Sequence, residues 1–157
     1  MNAPGGDSTA ELARQREHRI LEDIASDVPL REVLTAIAAL VEFRLPGSFC
    51  ALHLVDPVRQ VLTDPLCPSL PPEFGASTNG LPLGPRVGSC GTAAYLGVPV
   101  LTGDIETDPI WEGYRQYVHP YELRACWSYP LLSPTRIRPA GTQFRSEEHT
   151  SELQSLR

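Results

Sequence analysis

The chain has 157 residues, 41% of them hydrophobic and 20% charged, and its 13 basic residues against 19 acidic ones leave a net charge of −6. That length suits one domain with a single core, and the composition is that of a soluble globular chain. The basic residues cluster only at Arg14, Arg16 and Arg19, so no basic stripe points to nucleic acid, and no apolar run approaches the ~18 residues of a membrane-spanning helix.

Residues 1–9 read as a disordered terminus. Met1-Asn2-Ala3-Pro4-Gly5-Gly6 lacks the charged segment followed by an apolar one that marks a secretory signal, which leads to the expectation of a cytoplasmic protein. A helix is expected over Ala10–Ala25, with Leu12, Ile20, Leu21 and Ile24 on one side. Asp27-Val28-Pro29 ends it and offers Asp27 as cap and Pro29 as first-turn residue of a second helix. In that helix Leu30, Val33, Leu34, Ile37, Leu40 and Val41 recur at three- and four-residue spacing, the pattern of a helix packed on one face. Leu45-Pro46-Gly47 closes it.

Ser48–Val55 reads as a strand. Cys50, Leu52 and Leu54 point to one face, and Phe49, Ala51, His53 and Val55 to the other. A turn at Asp56-Pro57 leads to a short strand near Val61–Thr63. Pro65–Pro72 is expected to be a loop, because proline cannot donate within a sheet. One helical turn is expected over Glu73–Asn79, a short helix over Ser89–Leu96, a strand over Val98–Thr102 and a helix over Asp108–Val118. In the last of these Pro109 suits the first turn, and Ile110, Tyr114 and Val118 are spaced four apart. Arg124–Leu132 reads as a strand, and Gly141-Thr142-Gln143-Phe144 as the incomplete start of another. Helices first and antiparallel strands after them indicate an α+β fold.

Two blocks carry the most information. Val87-Gly88-Ser89-Cys90-Gly91-Thr92-Ala93-Ala94-Tyr95-Leu96-Gly97 is a Gly-containing turn that feeds a short helix stopped by a second Gly, and an apolar strand ending in Gly103-Asp104 follows. Leu123-Arg124-Ala125-Cys126-Trp127-Ser128-Tyr129-Pro130-Leu131 reads as a second strand. Together the blocks resemble a bacterial GAF domain, most closely the modules that carry "GSCGTAA" and "LRACWS" at this separation. The resemblance spans Ile20 to Phe144. It implies an antiparallel GAF/PAS-like sheet with helices on one face, a ligand pocket on the other, and the last strand lying centrally beside the first.

The tail stands apart. Residues 145–155 resemble the in-frame translation of a sequencing adapter, and composition shifts there from Arg, Pro, Ala and Gly to Ser, Glu, His and Thr. Residues 145–157 are therefore expected to be non-native, which leaves a truncated domain over 10–144. Loss of the last strand would expose the edge of the first, and the chain is expected to be marginally stable.

Cys90 is the first candidate for chemistry. A thiol in the first turn of a helix feels unpaired amides and the helix dipole, which favour the thiolate, and the same amides suit a ligand carboxylate or phosphate. The plainer reading is a tight turn capped by Ser89 or Thr92, with Cys90 as a small hydrophobe. A nucleophile elbow fits poorly, since Gly88 and Gly91 stand at −2 and +1 of Cys90. Cys126 is the second candidate, and Trp127 beside it faces the opposite side of the strand. The four cysteines include no C-x-x-C pair, so zinc-site spacing is absent. His53 has a cavity-facing reading and a satisfied-core reading. Ser89, Gly91, Thr92, Asp104, Trp111 and Trp127 complete the set of ligand-binding or redox candidates, and no catalytic or metal-ligating residue and no particular cofactor is indicated.

The resemblance implies a sensory input domain that binds a small ligand or reports redox state. Such a domain regulates an output domain in cis, such as a diguanylate cyclase, a phosphodiesterase or a histidine kinase, and dimerises through its first helix. The superfamily's enzyme branch, the free methionine-R-sulfoxide reductases, carries a similar "CGTA", matched by Cys90-Gly91-Thr92-Ala93. Its second cysteine sits in a "CD" context, whereas Cys126 precedes Trp127. A third reading is a degenerate domain serving as a dimerisation spacer.

Overall fold

The computed structural model describes residues 6–131 and 140–146, with side chains described over 8–131. The chain starts with helix α1 (Gly6–Ala25) and helix α2 (Leu30–Arg44), followed by strands β1 (Ser48–Asp56) and β2 (Val61–Leu66). Short helices α3 (Pro72–Thr78) and α4 (Gly88–Leu96) precede β3 (Val100–Thr102), β4 (Leu123–Pro130) and β5 (Ala140–Ser146). The strands form one antiparallel sheet in the order β2-β1-β5-β4-β3. The fold is α+β.

The alternation in β1 decides which layer each residue joins. Cys50 and Leu52 meet Leu34 and Ala38 of α2, together with Leu66, on the helical face. Ala51 and Phe49 turn to the other face and join Phe74, Ile105, Trp111, Val118, Leu123 and Cys126. Glu42 fastens α2 to this frame, accepting from the Cys50 amide at 2.8 Å and from Ser69 Oγ at 2.6 Å. On α1 it is Ala13 and Ile20 that are buried, while Leu12, Leu21 and Ile24 stay exposed. Arg16 lies 4.0 Å over the Phe43 ring and Arg44 pairs with Glu17 at 2.6 Å, so α1 rests on α2.

Several expectations are corrected. Asp27 adopts a left-handed backbone (φ 53°) and does not cap α2, whose N-cap is Pro29 with no side-chain bond. β2 continues through Pro65 to Leu66 because an extra residue bulges between the pairs Leu52↔Leu66 and Leu54↔Thr63, with Asp64 at φ 47°. A bulge is where a strand tolerates a proline. The expected helix over Asp108–Val118 is instead a series of single 3-10 turns, Pro109–Trp111 and Arg115–Tyr117, with His119–Tyr121 after them. Gly113 (φ 85°) breaks the run.

Gly141–Phe144 belongs to a seven-residue strand that pairs with both β1 and β4. The first strand therefore has no open edge on that side. β5 includes Arg145 and Ser146, the first two residues of the segment read as adapter-derived, while residues 132–139 and 147–157, with most of that segment, lie outside the described residues.

Candidate functional site

On the sheet face opposite α2, a hollow of about 370 Å3, its open mouth included, lies between β1, α3, α4 and the 3-10 turns. His53 of β1, Thr78 and Phe74 of α3, Gly88 and Cys90 of α4, and Trp111, Tyr114 and Tyr117 of the turns form much of its wall. The space open to the centre of a water-sized sphere is only about 20 Å3, room for about one water. As it stands the hollow is closed down around its side chains.

Local sequence explains how α4 enters this wall. Gly88 has φ 54°, and a Cβ there would stand 3.4 Å from the Trp111 ring. Gly91 is held tighter: a Cβ would fall 2.7 Å from Val87 Cγ1 and 2.9 Å from the Pro82 carbonyl oxygen. Thr92 Oγ1 accepts from the Val87 amide at 3.2 Å, capping the helix from inside. At the other end Gly97, left-handed at φ 69°, donates to the Ala93 carbonyl at 2.8 Å, a common way to end a helix.

Ser89 is thereby released from capping and enters a buried polar cluster. Its Oγ lies 2.9 Å from Thr102 Oγ1, which donates to Asp108 Oδ2 at 2.8 Å. The Trp111 indole N–H donates to both hydroxyls, at 3.1 Å to Ser89 and 3.2 Å to Thr102. The other carboxylate oxygen of Asp108 accepts from the Ile110 amide at 3.1 Å. The cluster joins α4, β3 and the first 3-10 turn, and buried polar groups satisfied in this way fix side-chain positions.

The thiols lie beside it. Cys126 is buried at 1% exposure, 3.7 Å from Ser128 Oγ, and its sulfur also reaches the Cys90 thiol and the Ser89 hydroxyl. Burial, with the Cys90 thiol next to it, holds the Cys126 thiol well above its ordinary range. Burial likewise pushes Cys50 and Cys67 up to about 12, with the Glu42 carboxylate adding to the shift at Cys50 and the Cys90 thiol at Cys67. None of the four cysteines is joined in a disulfide.

His53 is 1% exposed, and its Nε2 lies 3.2 Å from Thr78 Oγ1. The single Thr78 hydroxyl proton goes to the Phe74 carbonyl at 3.0 Å, with Gly75 at 3.3 Å. The His53–Thr78 bond therefore runs from Nε2–H to Oγ1. Burial lowers the His53 pKa to about 4, so the ring is neutral at pH 7. Its Nδ1 is a buried acceptor with no hydrogen-bond partner among the described residues.

Residues 29–142 match the family model described as GAF domain. The chain belongs to the GAF family. The module is 36% identical over 117 residues to the methyl sulfide methyltransferase-associated sensor of Methanosarcina acetivorans, an alignment that covers 74% of this chain and 12% of that protein. The chain thus spans about an eighth of the length of that relative. Among solved structures it is similar to the GAF domain of a phosphoenolpyruvate-protein phosphotransferase from Coxiella burnetii, with a TM-score of 0.66 and 16% identity over 92% of this chain and 82% of that one. It is also similar to the free methionine-R-sulfoxide reductase of Neisseria meningitidis, solved with its substrate, with a TM-score of 0.62 and 23% identity over 94% and 80% of the two chains. At these identities the two structures establish the fold.

Within the GAF fold the residues singled out by sequence fall into three groups. Cys90 and Trp111 line the hollow, with Gly91, Ser89, Thr92 and Cys126 packed behind it. Asp104 is exposed and forms a turn, accepting from the Glu106 amide at 3.0 Å. Trp127 is half-buried on β4 opposite Leu101, away from the hollow's wall. Tyr129, on the same strand, is exposed at 46%. Sequence reasoning missed Thr78, Thr102 and the role of Asp108 in the cluster. Their only signal was the Ser/Thr content of otherwise apolar segments.

Among the described residues no group of three or more His, Cys, Asp and Glu is placed to hold a metal, and no helix is long and apolar enough to cross a membrane.

Proposed function

We propose that this GAF domain is a non-catalytic sensory input module. It binds a small molecule in the hollow between α4 and the 3-10 turns, and biases an output domain attached to it. The observation that carries this reading is the aromatic hollow itself, on the sheet face that α2 leaves free, with a buried acceptor in its wall. Apolar walls with few polar groups are the usual form of small-molecule sites. The relative in Methanosarcina acetivorans is a sensor many times longer than this chain, which fits an input role beside other domains. A cyclase, phosphodiesterase or histidine kinase output and a cytoplasmic setting belong to the same proposal. The exposed Leu12, Leu21 and Ile24 of α1 suit a homodimer formed through that helix.

The proposal is tested by native purification followed by mass spectrometry under non-denaturing and denaturing conditions, with thermal melts of the same material. A co-purified small molecule whose removal lowers the melting temperature supports it, because ligands stabilise the state they bind. Absence of any bound molecule, together with no melting shift across a library of neutral and charged metabolites, overturns it.

The contact between the Cys90 and Cys126 thiols supports a second reading, a redox report. Two thiols and one peroxide give one disulfide and two waters, with two electrons passing from sulfur to peroxide. The buried, protonated state of Cys126 makes that step slow, since the thiolate is the nucleophile. The same state argues against a sulfoxide reductase.

A further inference from the structure

Resting on the small-ligand reading above, we infer that the hollow selects a neutral, flat molecule that donates one N–H or O–H hydrogen bond to His53 Nδ1, the chemistry of a phenol or an indole.

Three observations converge on that class. The described lining contains no Asp, Glu, Arg or Lys, so an anion or zwitterion entering it would lose its hydration without gaining a partner, a cost that excludes charged ligands. Phe74, Trp111, Tyr114 and Tyr117 supply aromatic walls, which match a flat ring through stacked or edge contacts. The polar demand of the site is specific in sign. Thr78 passes its proton to helix carbonyls and takes one from His53 Nε2, so the uncommitted nitrogen of the ring accepts and does not donate. A neutral imidazole has one donor and one acceptor, and burial keeps His53 neutral.

Nδ1 is buried and His53 lines the closed hollow, so the donor reaches the nitrogen as wall side chains shift. Tyr114 and Tyr117 are placed for this. They are half-buried and lie at and beside the 3-10 turn Arg115–Tyr117, which has no buried residue. The closed hollow has room for about one water, so a ring enters only as these side chains move outward.

The test uses the full chain and three probes of similar size: phenol, toluene and benzoate. Calorimetric titration gives affinities, and 15N NMR of the imidazole reports the state of each ring nitrogen. Phenol is expected to bind about five- to tenfold more tightly than toluene, the usual effect of one buried hydrogen bond, and benzoate not at all. The Nδ1 resonance is expected at the position of an unprotonated nitrogen, shifting upfield as phenol binds. The variant His53→Phe keeps the ring shape and should bind phenol and toluene equally.

Equal binding of phenol and toluene by the unaltered protein overturns this inference while leaving the cavity reading in place. Tight binding of benzoate, or an Nδ1 that carries the proton, overturns it as well. Binding of none of the three overturns the inference, and the small-ligand reading then stands or falls on the co-purification experiment. If His53→Phe does not fold, the NMR tautomer and the phenol-to-toluene ratio in the unaltered protein decide alone.

Discussion

The Trp111 indole N–H divides its proton between Ser89 Oγ and Thr102 Oγ1, at 3.1 and 3.2 Å, from a ring whose edge lies against Gly88. One side chain from a 3-10 turn thus ties the first turn of α4 to β3. The wall of the hollow and the sulfur of Cys126 depend on the same tie, because Ser89 also reaches Cys126. A ligand that moves Trp111 therefore moves the polar cluster, which is a physical route from occupancy to the sheet.

Thr102→Val tests the cluster. Valine keeps the shape but removes the hydroxyl that meets Ser89, Asp108 and Trp111. Leaving buried polar groups without partners costs about 1–3 kcal/mol. Urea unfolding should show a lower midpoint with an unchanged slope, the shift times the slope giving that loss. An unchanged midpoint would mean that the cluster contributes nothing to folding.

Two glycines should behave differently. At Gly91 a methyl meets Val87 and the Pro82 carbonyl at under 3.0 Å, and backbone cannot move aside, so Gly91→Ala should cost about 1–3 kcal/mol or more. At Gly97 nothing lies within 4 Å, and only the left-handed backbone at φ 69° opposes a side chain. Gly97→Ala should cost about 1 kcal/mol. Thermal melts of the two variants give the order directly.

Acid should weaken the fold through His53. Its pKa falls from 6.5 in the open chain to about 4 in the folded one, so between those values the unfolded state binds the extra proton. Stability from this group is complete above pH 6.5 and is lost as pH falls toward 4, by up to about 3 kcal/mol. His53→Phe should flatten that part of the profile. Urea midpoints at several pH values between 7 and 4 for both proteins measure it, and parallel profiles would refute the assignment.

Three thiols, Cys50 and Cys126 buried and Cys67 half-buried, should be inert. With Cys50 and Cys67 near 12 and Cys126 raised by burial, almost no thiolate exists at pH 8. Iodoacetamide at that pH should leave these three unmodified in the folded protein and alkylate them rapidly in urea. Peptide mass mapping reads the result site by site. Fast modification of Cys126 without denaturant would favour the redox reading.

The residues announced much of this fold, and where they did not the reason is physical. The two-residue period of β1 set Cys50 and Leu52 on one face and Ala51 on the other, and the structure covers the first with α2 and places Ala51 in the opposite core. The same rule fails in β4. Leu123 and Cys126, an odd number apart, share one core because the pairing with β5 shifts register between Leu123 and Ala125. The four-residue spacing of Ile110, Tyr114 and Val118 imitated a helix, and only Gly113 at φ 85° showed that packing against the sheet, not periodicity, orders that segment. His53 was legible as a residue of the inner face. The commitment of its Nε2 to Thr78, 25 residues away, was not, because a hydrogen bond across that separation leaves no local pattern.

The central place of β5 gives the last expectation. Ser48–His53 of β1 pair with it on one side and Leu123–Pro130 of β4 on the other. A chain ending at residue 139 would open both ladders in the middle of the sheet, leaving many buried amides and carbonyls unpaired at about 1–3 kcal/mol each. That exceeds a whole domain's stability of about 5–15 kcal/mol. Such a chain should show no cooperative melt and should aggregate, whereas the chain as given should melt cooperatively. Circular dichroism and sedimentation of the two proteins make the comparison. A folded, monomeric chain ending at 139 would show that β1 and β4 do not depend on β5.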